Sequence, residues 1–186
     1  MNFNANQFKE IYDKWDIDLR ELGCVMLDIE PIEMPCDLLD SENLYYSPDP
    51  KKFWIKGWVA MEPHCTLLYG LLDKAFEIEN EIEVVLGGWK LDKLTIGEFG
   101  YFDSPYPDEP YYCIVGHVFI SDGLLEGHSR LELLPHINTF PMYKAHITFA
   151  YIKKDEILRD KLLEELNRKV GGLSFPIKKI NLGERK

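Results

Sequence analysis

The sequence predicts an α+β fold in one domain, on three observations. Its 186 residues are 46% hydrophobic and 13% aromatic, enough to bury a core without disulfides or a structural metal. Short β-rich apolar runs alternate with segments of helical period along the whole chain. No Pro-, Gly- or Ser-rich linker divides it.

The elements follow in order. Residues 4–22 read as an amphipathic helix, because Phe8, Ile11, Tyr12, Trp15 and Leu19 recur at steps of three and four before Gly23 stops the pattern. Residues 24–29 read as a buried strand. Four prolines between Pro31 and Pro50 make residues 31–51 a loop-like excursion. A β-rich run over 53–60 precedes Pro63, and a strand resumes over 65–72. Residues 75–86 read as a helix with Phe76, Ile78, Ile82 and Val85 inward, closed by Gly87-Gly88. Residues 91–101 and 111–120 read as paired strands about the proline-rich turn 103–110. A helix is expected over 124–137 and a strand over 143–152. The clearest helix covers 155–170, capped by Asp155 and ended by Gly171-Gly172. A last strand covers 174–182.

Charge and cysteine usage exclude other classes. With 21 basic and 32 acidic side chains the formal charge is −11, and no basic stripe suited to a long nucleic acid is present. A small phosphorylated ligand needs only a few local donors and remains compatible. Cys24, Cys36, Cys65 and Cys113 are scattered without a C-x-x-C pair, which fits reduced thiols better than zinc or a disulfide framework. No run approaches eighteen apolar residues, so no membrane-spanning helix is expected. Residues 1–9 are polar and lack a signal-peptide core, so a cytoplasmic location is expected.

One short pattern occurs twice. His64-Cys65-Thr66-Leu67-Leu68-Tyr69 and His146-Ile147-Thr148-Phe149-Ala150-Tyr151 both read His-x-Thr-φ-φ-Tyr, where φ is apolar. A single buried histidine beside a threonine is ordinarily a satisfied polar pair in a core. Two copies, each in an expected strand, reverse that balance. Alternation puts His64 with Thr66, and His146 with Thr148, on one face of each strand. Brought together, the strands offer two imidazoles and two hydroxyls around one small group.

That set suits phosphodiester cleavage. A neutral imidazole accepts the proton of the attacking hydroxyl or water, and an imidazolium protonates the departing oxygen. Threonine hydroxyls donate to the non-bridging phosphate oxygens. Zinc is short of ligands, since neither motif adds a carboxylate or third histidine. A third ligand could come from His117, His128 or His136, though the last two read as surface or boundary residues. No cofactor is expected.

The paired motifs resemble those of the 2H phosphoesterase superfamily. The resemblance implies a two-lobed, pseudo-symmetric fold with a central groove between antiparallel sheets and one motif from each lobe. It implies His64 and His146 as the acid–base pair and Thr66 and Thr148 as phosphate binders. Within the superfamily the chain looks closest to the phage anti-CBASS phosphodiesterases. That rests on a compact acidic chain, an aromatic-rich first helix and the run from Pro63 to Gly70 around the first motif. The implied substrate is a cyclic di- or trinucleotide immune signal such as 3′,3′-cGAMP, cut without metal in the host cytosol. Attack by the neighbouring ribose 2′-hydroxyl would pass through a 2′,3′-cyclic phosphate. Opening of RNA-end 2′,3′-cyclic phosphates, cleavage of 2′-5′ linkages, and sequestration without cleavage are the alternatives.

Nucleobases stack on aromatic faces, and Tyr12, Trp15, Trp54, Trp58 and Tyr106 are the candidates, Tyr12 foremost. Alternation puts Lys144 on the face of His146, where it adds positive charge, and Glu62 beside His64, where a carboxylate orients an imidazole. The same alternation turns Tyr69 and Tyr151 to the opposite face, as packing residues.

Overall fold

Six segments whose residues divide between interior and surface form strands in the computed structural model, which describes residues 22–33, 39–138 and 142–183. In chain order the elements are β1 (Gly23–Ile29), β2 (His64–Leu71), α1 (Glu79–Val85), β3 (Lys93–Asp103), β4 (Tyr111–Val118), α2 (Asp122–Leu131), β5 (His146–Lys153), α3 (Glu156–Lys169) and β6 (Ser174–Asn181). Every strand pairing is antiparallel, and the strands close a ring in the order β1-β2-β5-β4-β3-β6. The fold is thus mixed α and β about an antiparallel six-stranded sheet. The helix expected over 4–22, with Tyr12 and Trp15, lies outside the described residues except for Leu22, as does Cys36.

The interior is apolar and continuous. Val25, Leu27, Cys65, Leu67, Ile114, Ile147 and Phe149 are fully buried. Phe149 meets Phe99 edge-on at 4.8 Å and Trp58 at 5.7 Å. A side chain at Gly116 would strike Ile96 and Phe149, so glycine there makes room for the ring. Helix α2 covers β2 and α3 covers β3. Both start on side-chain caps: Ser121 accepts from the Leu124 amide at 3.2 Å and Asp155 from the Leu158 amide at 3.0 Å.

Two elements differ from expectation. The run 53–60 makes only isolated bridges, Tyr46 with Lys56 and Trp58 with Ala150. Gly57, at φ 72°, turns it back beneath the ring of Tyr46, and a side chain there would meet that ring. The helix expected to reach 137 ends at Leu131. Pro135 disfavours helical backbone just before it, and residues 135–137 instead hydrogen-bond the end of β2, Ile137 to the Gly70 carbonyl and Leu72 to the Pro135 carbonyl.

The junction between β2 and β5 is the sparsest in the ring, a single pairing of Cys65 with Ile147. Beyond it the strands part. Backbone of the excursion and of the run 53–60 follows β5 on one side, with the Lys153 amide donating to the Asn43 carbonyl and the Val59 amide to the Phe149 carbonyl. Residues 135–137 follow β2 on the other. The excursion before the first motif therefore completes the strand of the second, and the segment before the second motif completes the strand of the first. Among the described residues no helix is long and apolar enough to cross a membrane.

Candidate active site

Each motif strand lies beside a partner strand in the same register. On β1 and β2 the partners are Cys24 with Tyr69, Val25 with Leu68, Met26 with Thr66, Leu27 with Cys65 and Asp28 with His64. On β4 and β5 they are Cys113 with Tyr151, Ile114 with Ala150, Val115 with Thr148, Gly116 with Ile147 and His117 with His146. In both pairs the register slips at the same place, leaving Leu67 and Phe149 as the extra residue of a β-bulge. The bulge explains the double apolar step of the motif, because Leu67 and Leu68, like Phe149 and Ala150, all turn inward.

The slip also corrects the tyrosines. Alternation through an unbroken strand opposes them to the histidines, but the extra residue restores the parity. Tyr151 reaches the Cys113 thiol that Thr148 also touches, so it shares the outer face with the motif. Tyr69 is half-buried at the equivalent position, opposite Cys24.

The four motif polar groups frame the β2–β5 junction. Cys65 and Ile147 point into the core with no exposure, so their neighbours point outward. Antiparallel register then sets His64 beside Thr148 and Thr66 beside His146. The two imidazoles are close enough that the charge of His64 bears on His146. Both rings are oriented alike: His64 Nδ1 lies 3.3 Å from the Glu62 carbonyl and His146 Nδ1 2.8 Å from the Lys144 carbonyl. A carbonyl only accepts, so each Nδ1 carries the proton and each Nε2 is left for chemistry. Glu62 thus orients His64 through its backbone, while its carboxylate lies 3.8 Å from Lys56 Nζ.

Each threonine has a half-buried cysteine beside it. Thr66 hydrogen-bonds Cys24, and Thr148 hydrogen-bonds Cys113. Burial pushes the thiols up to about 11 for Cys24 and about 12 for Cys113, so both remain S–H at neutral pH. Such raised thiols are poor nucleophiles.

Two residues complete the wall beside His146. Phe102 on β3 meets its ring edge-on at 5.3 Å. His117 on β4 is its ladder partner, half-buried, and meets Phe102 at 6.3 Å. Burial, then the charges of His117 and His64, hold the His146 imidazole below its ordinary value, against the Lys144 carbonyl that favours the charged ring. Burial and then Lys144 lower His117 as well, opposed by Glu98. Both shifts favour the neutral imidazole. Sequence reasoning weighed His117 only as a metal ligand. The available signal was its place as a polar residue in an otherwise apolar strand.

Lys144 precedes β5, and its carbonyl holds His146. Trp54 is 38% exposed on the turn after Pro50–Lys52 and stacks edge-on with Phe53. That turn is tied to the proline-rich turn 103–110 by an ion pair of Lys52 with buried Glu109, and Lys52 also lies over the Tyr106 ring at 3.9 Å. His128 is half-buried at the boundary, as expected. Its ring stacks on Tyr143 at 3.9 Å, and its Nδ1 donates to the Leu67 carbonyl at 2.7 Å. His136 leaves the helix and bridges Leu71.

No family model and no curated protein matches the sequence. Among solved structures, the chain is similar to Kluyveromyces marxianus Usb1, at 13% identity over 86% of this chain and 92% of that one, with a TM-score of 0.48. It is similar also to the same protein solved with uridine monophosphate, at 14% identity over 87% and 93%, again with a TM-score of 0.48.

Proposed function

We propose that this chain is a phosphodiesterase in which His64 and His146 carry the two proton transfers. The observation that supports the reading is the Cys65–Ile147 pairing, around which two outward imidazoles and two outward hydroxyls meet. Repetition of one register, bulge and Thr–Cys contact on β1–β2 and β4–β5 supports two pseudo-symmetric lobes with a groove along their junction. One Nε2 takes the proton of an attacking hydroxyl, whose oxygen bonds to phosphorus. The bond to the leaving oxygen breaks, and that oxygen takes the proton of the other imidazole. Thr66 and Thr148 donate to the non-bridging oxygens as charge builds. No metal is required, because the side chains supply both protons' carriers.

The substrate we infer is a cyclic di- or trinucleotide such as 3′,3′-cGAMP. The net charge of −11 favours a compact ligand over a long polyanion. Attack by a ribose 2′-hydroxyl gives a 2′,3′-cyclic phosphate and frees a 5′-hydroxyl. Trp54 and Lys144, with Tyr12, are the proposed substrate contacts. In a phage, such cleavage would disarm CBASS signalling in the host cytosol.

The test incubates the chain in EDTA with 3′,3′-cGAMP, its 2′-deoxy analogue, a 2′-5′ oligonucleotide and an RNA ending in a 2′,3′-cyclic phosphate. Loss of 3′,3′-cGAMP with the deoxy analogue intact is the expected result. Cleavage confined to the last two substrates would move the assignment to RNA ends. Tight binding of intact ligand would replace catalysis with sequestration.

A further inference from the structure

The two half-sites differ in the residue paired with the motif histidine. Opposite His64 stands Asp28, whose carboxylate is held by Asn181 Nδ2 at 3.0 Å and faces Lys179 at 3.6 Å. Opposite His146 stands His117. The ring of His117 lies against Gly100 of β3, where a side chain would come within 2.8 Å of its Nε2. Glycine there is what lets a third imidazole fit inside the wall.

We propose that His117 is a positioning residue that fixes the division of labour, keeping His146 as the proton acceptor and leaving His64 as the proton donor. The assignment of roles rests on the phosphodiesterase reading, whereas the coupling of the two imidazoles does not. Among the described residues, the titratable groups acting on His146 are His64 from β2 and His117 from β4, with the Lys144 backbone carbonyl opposing them; those acting on His117 are Lys144 and Glu98. An added proton on either ladder imidazole repels one on the other, and the half-buried setting shields that repulsion less than water does. On the other side the ladder neighbour of His64 is a carboxylate, so the two half-sites place unlike groups beside their motif imidazoles. In the transfer, His146 Nε2 accepts the 2′-hydroxyl proton as O2′ bonds to phosphorus. His64 gives its Nε2 proton to the departing O5′, and solvent restores both rings between turnovers.

The experiment follows each histidine ring by NMR against pH in the full chain and in His117→Asn and His117→Asp. It also records kcat/KM for 3′,3′-cGAMP over the same range. The His146 midpoint is expected to rise with Asn and to rise further with Asp, carrying the acidic limb of the rate profile upward by the same amounts. The His64 midpoint and the basic limb stay in place. A purely structural role predicts equal effects from both substitutions, and that outcome, an unmoved His146 midpoint or a displaced basic limb overturns the proposal. Graded NMR shifts in a chain that turns over no substrate of the panel uphold the coupling and overturn the phosphodiesterase reading instead.

Discussion

The half-sites of His64 and His146 are built from one pattern and supported by different means. Both bulges turn carbonyls away from the regular ladder. At the first, side chains satisfy them, His128 holding the Leu67 carbonyl and the Tyr143 hydroxyl the Thr66 carbonyl at 3.0 Å. At the second, the Val59 amide holds the Phe149 carbonyl at 2.8 Å. The environments differ too, since His64 is exposed beside a carboxylate and His146 half-buried beside another imidazole. A shared scaffold thus leaves room for unlike chemistry, because the ladder dictates where a side chain stands and its neighbours dictate what it does.

The largest effect that sharpens this comparison comes from the histidines. His64→Ala and His146→Ala are each expected to lower kcat by roughly 10²–10⁴-fold, and to do so asymmetrically in pH. Loss of His146 removes the acidic limb of the rate profile and loss of His64 the basic limb. Identical residual profiles would show that the halves are interchangeable.

A lesser effect tests the unequal supports. His128→Ala leaves the buried Leu67 carbonyl without its donor and is expected to cost about 1–3 kcal/mol of stability, read as a lower urea midpoint. The same variant should weaken turnover while leaving the NMR titration of His146 unmoved. A substitution at Val59 has no equivalent effect, because the second bulge is held by backbone.

The threonines give the smallest difference. Thr66→Val and Thr148→Val are each expected to reduce kcat roughly 10- to 100-fold at unchanged folding. Equal losses would place both hydroxyls on the phosphate; a loss from only one would assign it to a single threonine.

Stability should follow pH through the same asymmetry. His146 and His117 are both held below the ordinary histidine value in the folded chain. The unfolded state therefore binds more protons as pH falls, so their share of stability is complete above about pH 6.5 and is lost progressively below it. Urea midpoints measured between pH 5 and 8 should fall on the acidic side, and less steeply in His117→Asn.

Much of this was legible along the chain. The doubled motif announced the paired strands, and the double apolar step within it records a bulge, since an unbroken strand would alternate there. The cap at Asp155 marks a helix start through its own hydrogen bond. What could not be read were relations across the fold. Strand alternation misplaced Tyr151 because it assumes no slip. The hydrogen bond of His128 was not legible because its acceptor, the Leu67 carbonyl, is 61 residues away. The run 53–60 has strand composition, yet it turns on Gly57 to pair with its own upstream segment.

Local order in the chain determined which residues carry imidazoles and hydroxyls, and on which side of a strand they sit within each motif. Backbone geometry alone decides those, over a few residues at a time. Only the closed ring decided that the two motifs meet at Cys65 and Ile147, and that one histidine has Asp28 and the other His117 for a neighbour. A pKa depends on burial and on charges through space, and those come from strands far apart in sequence.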